Sequence, residues 1–241
     1  MSHSPLDQFN VYNVFDIKIA GIDISITNSA IFMIIALSFV TLFFMLSMCK
    51  RQLIPGRVQA SAEVFHNFIV DMLNENTEGK GEKFLPFVFG LFYFILMLNI
   101  LGMIPHGFTV TSHISITFTL ALLVFLLVTI YAFIKHGLKF LHFFVPDGVP
   151  MVLLPFMVVI EIFVYFTRPV SLCIRLAANM FAGHVLMFII AGFVTVMGVW
   201  GILPISFITI FTGFELFVAI LQAYIFTILS CVYINDAINL H

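Results

Sequence analysis

The chain has 241 residues, of which 62% are hydrophobic and only 9% charged, against about 25% charged in an ordinary soluble domain. Thirty-one phenylalanines spread along its whole length would give a water-soluble fold larger apolar patches than soluble monomers carry, so lipid is the solvent this composition expects. Net charge is −2 with no basic tract, which excludes the electrostatic footprint of a nucleic-acid binder. Cys49, Cys173 and Cys231 are far apart and form neither a disulfide framework nor a Cys/His ligand set, so no metal and no cofactor is expected.

Residues 1–28 hold three aspartates and one lysine, without a basic stretch leading into an apolar one; they read as an outer-side segment and not as a cleavable signal peptide. The cap-like pair Thr27-Asn28 precedes a first span over 29–48, about 20 residues and long enough to cross a hydrocarbon core of about 30 Å. Lys50, Arg51 and Arg57 follow around a Pro55-Gly56 turn. Over 61–77, Val64, Phe65, Phe68 and Met72 alternate with Glu63, Asp71 and Glu75, the pattern of an amphipathic helix at the membrane surface. A second span is predicted over 84–104 and a third over 113–134, punctuated by PHGFTVTS and KHGLKFLHFFVPDGVP. The last apolar region breaks only at the glycine-bearing stretch Met197 to Pro204, giving a hairpin of two long helices over 150–190 and 203–235. The expected architecture is an all-α polytopic membrane protein: one integral membrane domain over 29–241, about five membrane helices and one surface helix.

Lysines and arginines concentrate in two loops, Lys50 to Lys83 and Lys135 to Lys139, and are missing from the two loops between. Cytoplasmic loops carry such an excess, so five crossings put the N-terminus outside and the C-terminus on the cytoplasmic or matrix side. At 1.5 Å per residue the two last helices would be about 60 and 50 Å long, which requires steep tilt or breaks at Pro155 and Pro169. Breaking both would return the termini to the same sides, so charge counting admits either.

Within that hairpin the fully ionisable residues are Glu161, Arg168, Arg175 and Glu215, joined by His184, and Asp236 follows just beyond it. A charge near the centre of a membrane helix costs about 2.5–3.5 kcal/mol on insertion scales, so such residues face water or a partner. Glu161, Arg168 and Arg175 lie seven apart and form one stripe. Ser171, Ala178, Asn179 and Ala182 adjoin Arg175, and small side chains there let a neighbouring helix come close to a guanidinium that does not deprotonate. Glu215, Gln222 and Asp236 form a second stripe, and His184 and Glu215 can both carry a transferable proton. Rival readings are a snorkelling Arg168, an ion pair between Glu161 and Arg168, Gln222 as interhelical glue, and Asp236 as a solvated helix end. At this level three functions fit: an ion-translocating stator, a self-contained transporter, for which the halves show no internal repeat, and a non-transporting membrane anchor. No phosphate loop, nucleophile elbow or HExxH gives the chain a catalytic site of its own.

The stretches RPVSLCIRLAANMFAGH (Arg168 to His184) and ELFVAILQAYIF (Glu215 to Phe226) closely resemble subunit a of the F-type ATP synthase. The early SPLDQF, the block NILGMIPHGFTVTSH (Asn99 to His113) and the VPDGVP turn extend the likeness over nearly the whole chain. The resemblance implies that Arg175 is the essential arginine facing a rotating ring of small hairpin c subunits. It implies further that Asn179, His184, Glu215 and Gln222 line the outer half-channel and Glu161 the inner one, with Arg168, Ser171 and Asp236 as helpers. The LAAN interior departs from the phenylalanine-containing version common in relatives, although Arg175 and Asn179 keep their spacing. His184 and Glu215 stand where some bacterial members carry the two residue types exchanged. The partners implied are the c-ring, peripheral-stalk b-type subunits, the lipid bilayer and H⁺, with Na⁺ equally open because the ion ligands would lie on the ring. The membrane implied is a bacterial plasma membrane or a mitochondrial inner membrane.

Overall fold

The structure, a computed structural model, describes residues 11–15, 18–19, 22–23, 25–49, 52, 54–104, 107–145 and 153–239. The SPLDQF segment, Lys50, Arg51, His106 and most of the VPDGVP turn lie outside them. Short strands β1 (Asn13–Phe15), β2 (Lys18–Ile19), β3 (Ile22–Asp23) and β4 (Ile26–Thr27) pair antiparallel, β1 with β4 and β2 with β3. These nested ladders are an addition to the expected architecture, which is otherwise helical. Strands of two or three residues are too short to show an alternating pattern.

α1 (Asn28–Met48) starts where Thr27 holds an extended backbone and its hydroxyl accepts from the Ala30 N–H at 3.3 Å. α2 (Arg57–Thr77) begins four residues before the predicted amphipathic segment, directly after the Pro55-Gly56 turn, and ends where Glu78 and Gly79 take positive φ of 52° and 74°. It does more than lie on a surface. Ala62, Ile69, Met72 and Leu73 are buried, α2 packs against α6 and α3, and Tyr93 donates its hydroxyl to the Phe65 carbonyl at 2.9 Å.

α3 (Leu85–Gly102) follows a 3₁₀ turn and carries Pro86 in its first turn, where a missing N–H has no cost. After Gly102 the chain folds back tightly: a Cβ there would meet the Thr109 methyl at 2.9 Å. A 3₁₀ turn over Val110–Ser112 then leads into α4 (Ile114–His136), whose first turn is tied by Thr117 donating to the His113 carbonyl at 3.2 Å.

α5 (Leu154–Met197) has 44 residues and α6 (Ile202–Ile238) has 37, joined by a 3₁₀ turn over Gly198–Gly201. At 1.5 Å per residue these are about 66 and 55 Å long, roughly twice a hydrocarbon core. Neither proline breaks α5. Pro155 is its second residue, a position that tolerates proline, and Pro169 lies inside a continuous helix where its ring costs the Tyr165 carbonyl its usual donor.

Five of the six helices among the described residues, all but α2, are long and apolar enough to cross a membrane. α2, α3, α4, α5 and α6 share a core that includes Ile69, Ile95, Val124, Leu176 and Phe226, and a smaller cluster of Ala36, Leu98, Phe108 and Val110 joins α1 and α3 to the α3–α4 connector. The outward faces stay apolar: Ile134 is 79% exposed and Ile210 77%, as suits contact with lipid.

Candidate functional site

α5 and α6 pack antiparallel, and three polar contacts mark their register. Arg168 Nη1 donates to Asp236 Oδ2 at 2.8 Å, Asn179 Nδ2 donates to Gln222 Oε1 at 3.0 Å, and His184 Nε2 stands 3.8 Å from Glu215 Oε1. Going along α5, the helix passes first an ion pair, then Arg175, then an amide pair, then a histidine–carboxyl pair.

The Arg168–Asp236 pair is half-buried and enclosed. The guanidinium lies over the Tyr165 ring at 5.5 Å and the Tyr233 ring at 4.9 Å, and the Tyr165 hydroxyl is 2.6 Å from Thr129 Oγ1 on α4. This corrects two of the rival readings. Asp236 is no solvated helix end, and Arg168 takes Asp236 across the hairpin in place of Glu161 one heptad back. Glu161 is half-buried and has no ion pair among the described residues. The end of α6 beside this pair is capped by side chains from elsewhere. Lys135 donates to the Ile238 carbonyl at 2.9 Å, the His136 ring to the Ala237 carbonyl at 3.1 Å, and Lys80 to Asn239 Oδ1 at 2.9 Å.

At the other end His184, Glu215 and Gln222 are buried, at 6%, 4% and 2% exposure. Glu215 reaches that depth because α5 carries Gly183 opposite it: a Cβ there would stand 2.5 Å from Oε1. Both Glu215 oxygens lack a hydrogen-bond partner among the described residues, the imidazole at 3.8 Å being beyond reach. Thr109 Oγ1, from the α3–α4 connector, lies 3.4 Å from His184 Nε2. Asn99 of α3 is fully buried and donates to the Ala219 carbonyl of α6 at 3.1 Å, an approach that the small Ala219 permits. Neither Thr109 nor Asn99 was among the residues expected here. A lone amide within the apolar run Phe84 to Met103 was the available signal for Asn99.

Arg175 stands between the two ends on a different face. It is exposed together with Ser171, Ala178 and Ala182, and among the described residues it has no carboxylate within 4.0 Å. Asn179, exposed on the same side, turns its amide inward to Gln222. Behind Arg175, Leu172, Leu176, Ala223 and Phe226 are all at most 2% exposed and fill the α5–α6 seam. The two polar ends are therefore separated inside the protein by packed apolar side chains, while an uncompensated cation and a strip of small residues face outward between them.

The family model described as "ATP synthase A chain" matches residues 30–235, all but the two ends of the chain. The chain belongs to that family: it is a subunit a of the F-type ATP synthase, a proton-translocating stator subunit of the membrane sector whose partners are the c-ring and other ATP synthase subunits.

Proposed function

From its place in the ATP synthase A chain family, we propose that the two polar ends of the α5–α6 hairpin are the inner ends of two offset half-channels, and that Arg175 separates them at the surface of the c-ring. Asn179, His184, Glu215 and Gln222 line the outer half-channel. Glu161 lines the inner one, with Arg168, Ser171 and Asp236 shaping it. The N-terminus lies outside and the C-terminus on the cytoplasmic or matrix side of a bacterial plasma or mitochondrial inner membrane, and b-type stalk subunits hold the assembly still.

The observation that carries this reading is the outward position of Arg175 on a small-residue face, with an apolar seam behind it. Ser171, Ala178 and Ala182 let a ring helix approach closely. A guanidinium stays charged at every working pH, so it favours the ionised form of a ring carboxylate that passes it and drives release of that carboxylate's proton. The same charge opposes direct proton leakage from one half-channel to the other. Each proton that crosses is worth about 2.3 kcal/mol per 100 mV of membrane potential, and the lateral offset of the half-channels makes rotation the route by which it crosses.

The test is ATP-driven proton pumping by the assembled complex in vesicles. Arg175→Ala is expected to abolish pumping while the complex still assembles with its ring. Pumping at the parent rate would overturn the proposal.

A further inference from the structure

Among the described residues, the buried side-chain polar atoms without a hydrogen-bond partner are Asn99 Oδ1, Thr111 Oγ1, His113 Nε2 and the two Glu215 oxygens. All belong to one end of the bundle: late α3, the α3–α4 connector and the first half of α6. Elsewhere buried hydroxyls find carbonyls, as Thr77 does at Leu73, Thr227 at Ala223 and Ser230 at Phe226. Buried polar groups in native proteins are paired with protein or with ordered water, and a run of unpaired ones is where internal water binds.

The connector links these atoms to the His184–Glu215 pair. Thr109, whose hydroxyl lies 3.4 Å from His184 Nε2, begins the 3₁₀ turn Val110–Ser112, and Ser112 Oγ donates to the Thr109 carbonyl at 2.7 Å. Thr111 stands two residues and His113 four residues along the chain from Thr109. Thr111 is fully buried, whereas His113 is half-exposed with its Nε2 turned inside, so the pair spans the distance from surface to interior. The His113 ring stacks on Phe108 at 5.0 Å and 19°, which fixes its plane.

We propose that the 107–113 connector is the mouth of the path to Glu215, with Thr111 and His113 holding a file of water that hands protons to His184 and Glu215. This rests on the reading of His184 and Glu215 as lining the outer half-channel. A proton that joins the file at His113 displaces one at its inner end through the hydrogen bonds between waters, so Thr111 and His113 neither gain nor lose a proton over a cycle. Their part is to hold the water in place.

The experiment uses the assembled complex in vesicles, with Cys49, Cys173 and Cys231 replaced by Ala. In that background Thr111→Cys is expected to react with a small charged methanethiosulfonate added on the outer side, and passive proton conduction to fall at least tenfold on labelling. Thr111→Val, which keeps the shape and removes the hydroxyl, is expected to lower conduction several-fold without any reagent. A Thr111→Cys complex that does not react with the reagent, or that reacts with conduction unchanged, overturns the proposal, as does parental conduction by Thr111→Val. If neither Thr111 variant assembles, His113→Cys at the half-exposed end carries the same labelling test with the same outcomes. Normal conduction in these variants beside a dead Arg175→Ala complex removes the connector and leaves the stator reading standing. A pumping Arg175→Ala complex removes the reading itself.

Discussion

The two ends of the α5–α6 hairpin are built on opposite rules. At the Arg168–Asp236 end the charges are paired at 2.8 Å, flanked by two tyrosine rings and tied to α4 through Tyr165 and Thr129. At the His184–Glu215 end the groups are more deeply buried yet do not reach each other, and the unpaired buried polar atoms gather around them. A satisfied ion pair fixes geometry. Unsatisfied buried groups lose stability by staying dry and bind water instead. Under the half-channel proposal the difference assigns different work to these side chains: Arg168 and Asp236 fix the register and shape of the inner path, whereas His184 and Glu215 pass protons along the outer one.

Three substitutions test that contrast, beginning with the largest expected effect. Glu215→Leu removes the carboxyl at the unpaired end; proton conduction by the reconstituted complex is expected to drop about 100-fold or more, the scale on which positioned proton-transfer groups act. Retained conduction would show that end to be structural as well. Asp236→Ala leaves Arg168 half-buried without its anion. Because both side chains keep some solvent contact, the expected loss is about 1–3 kcal/mol of stability, read as a lower thermal midpoint of the detergent-solubilised complex. A change in conduction with the midpoint intact would make Asp236 part of the proton path and not a brace. Gly183→Ala is the mildest: its methyl meets Glu215 Oε1 at 2.5 Å, so the carboxylate must shift. Conduction is expected to fall a few-fold, with assembly unaffected.

Much of the architecture was legible in composition and run length, since a segment of about 20 apolar residues has few other fates. Thr27 as the cap of α1 and the amphipathic character of α2 could also be read directly. What could not be read depends on distance along the chain. The Arg168–Asp236 pair joins residues 68 positions apart, and nothing local distinguishes Asp236 from an ordinary charged helix end. Glu161 offered the nearer partner on a helical wheel, but the cross-hairpin geometry prevailed. Asn99 was hidden for the converse reason: one amide hardly disturbs an apolar run, and its importance lies in the α6 backbone it touches. Pro169 shows that a proline inside a long apolar helix need not divide it when tertiary packing holds both halves. At the site, the sequence singled out Arg175 as too costly to be incidental, whereas the apolar seam behind it emerged only from packing.

The far end of α6 is tied by Lys135 and His136 from α4 and by Lys80 from the turn before α3. In mechanical terms these are three guy-ropes, two fixed to the end of α4 and one to the turn before α3, converging on the end of one helix. A sideways drag on the exposed face of α5 and α6 is thereby shared with α4 and with the α2–α3 turn, so that a hairpin long enough to bend behaves as a braced beam.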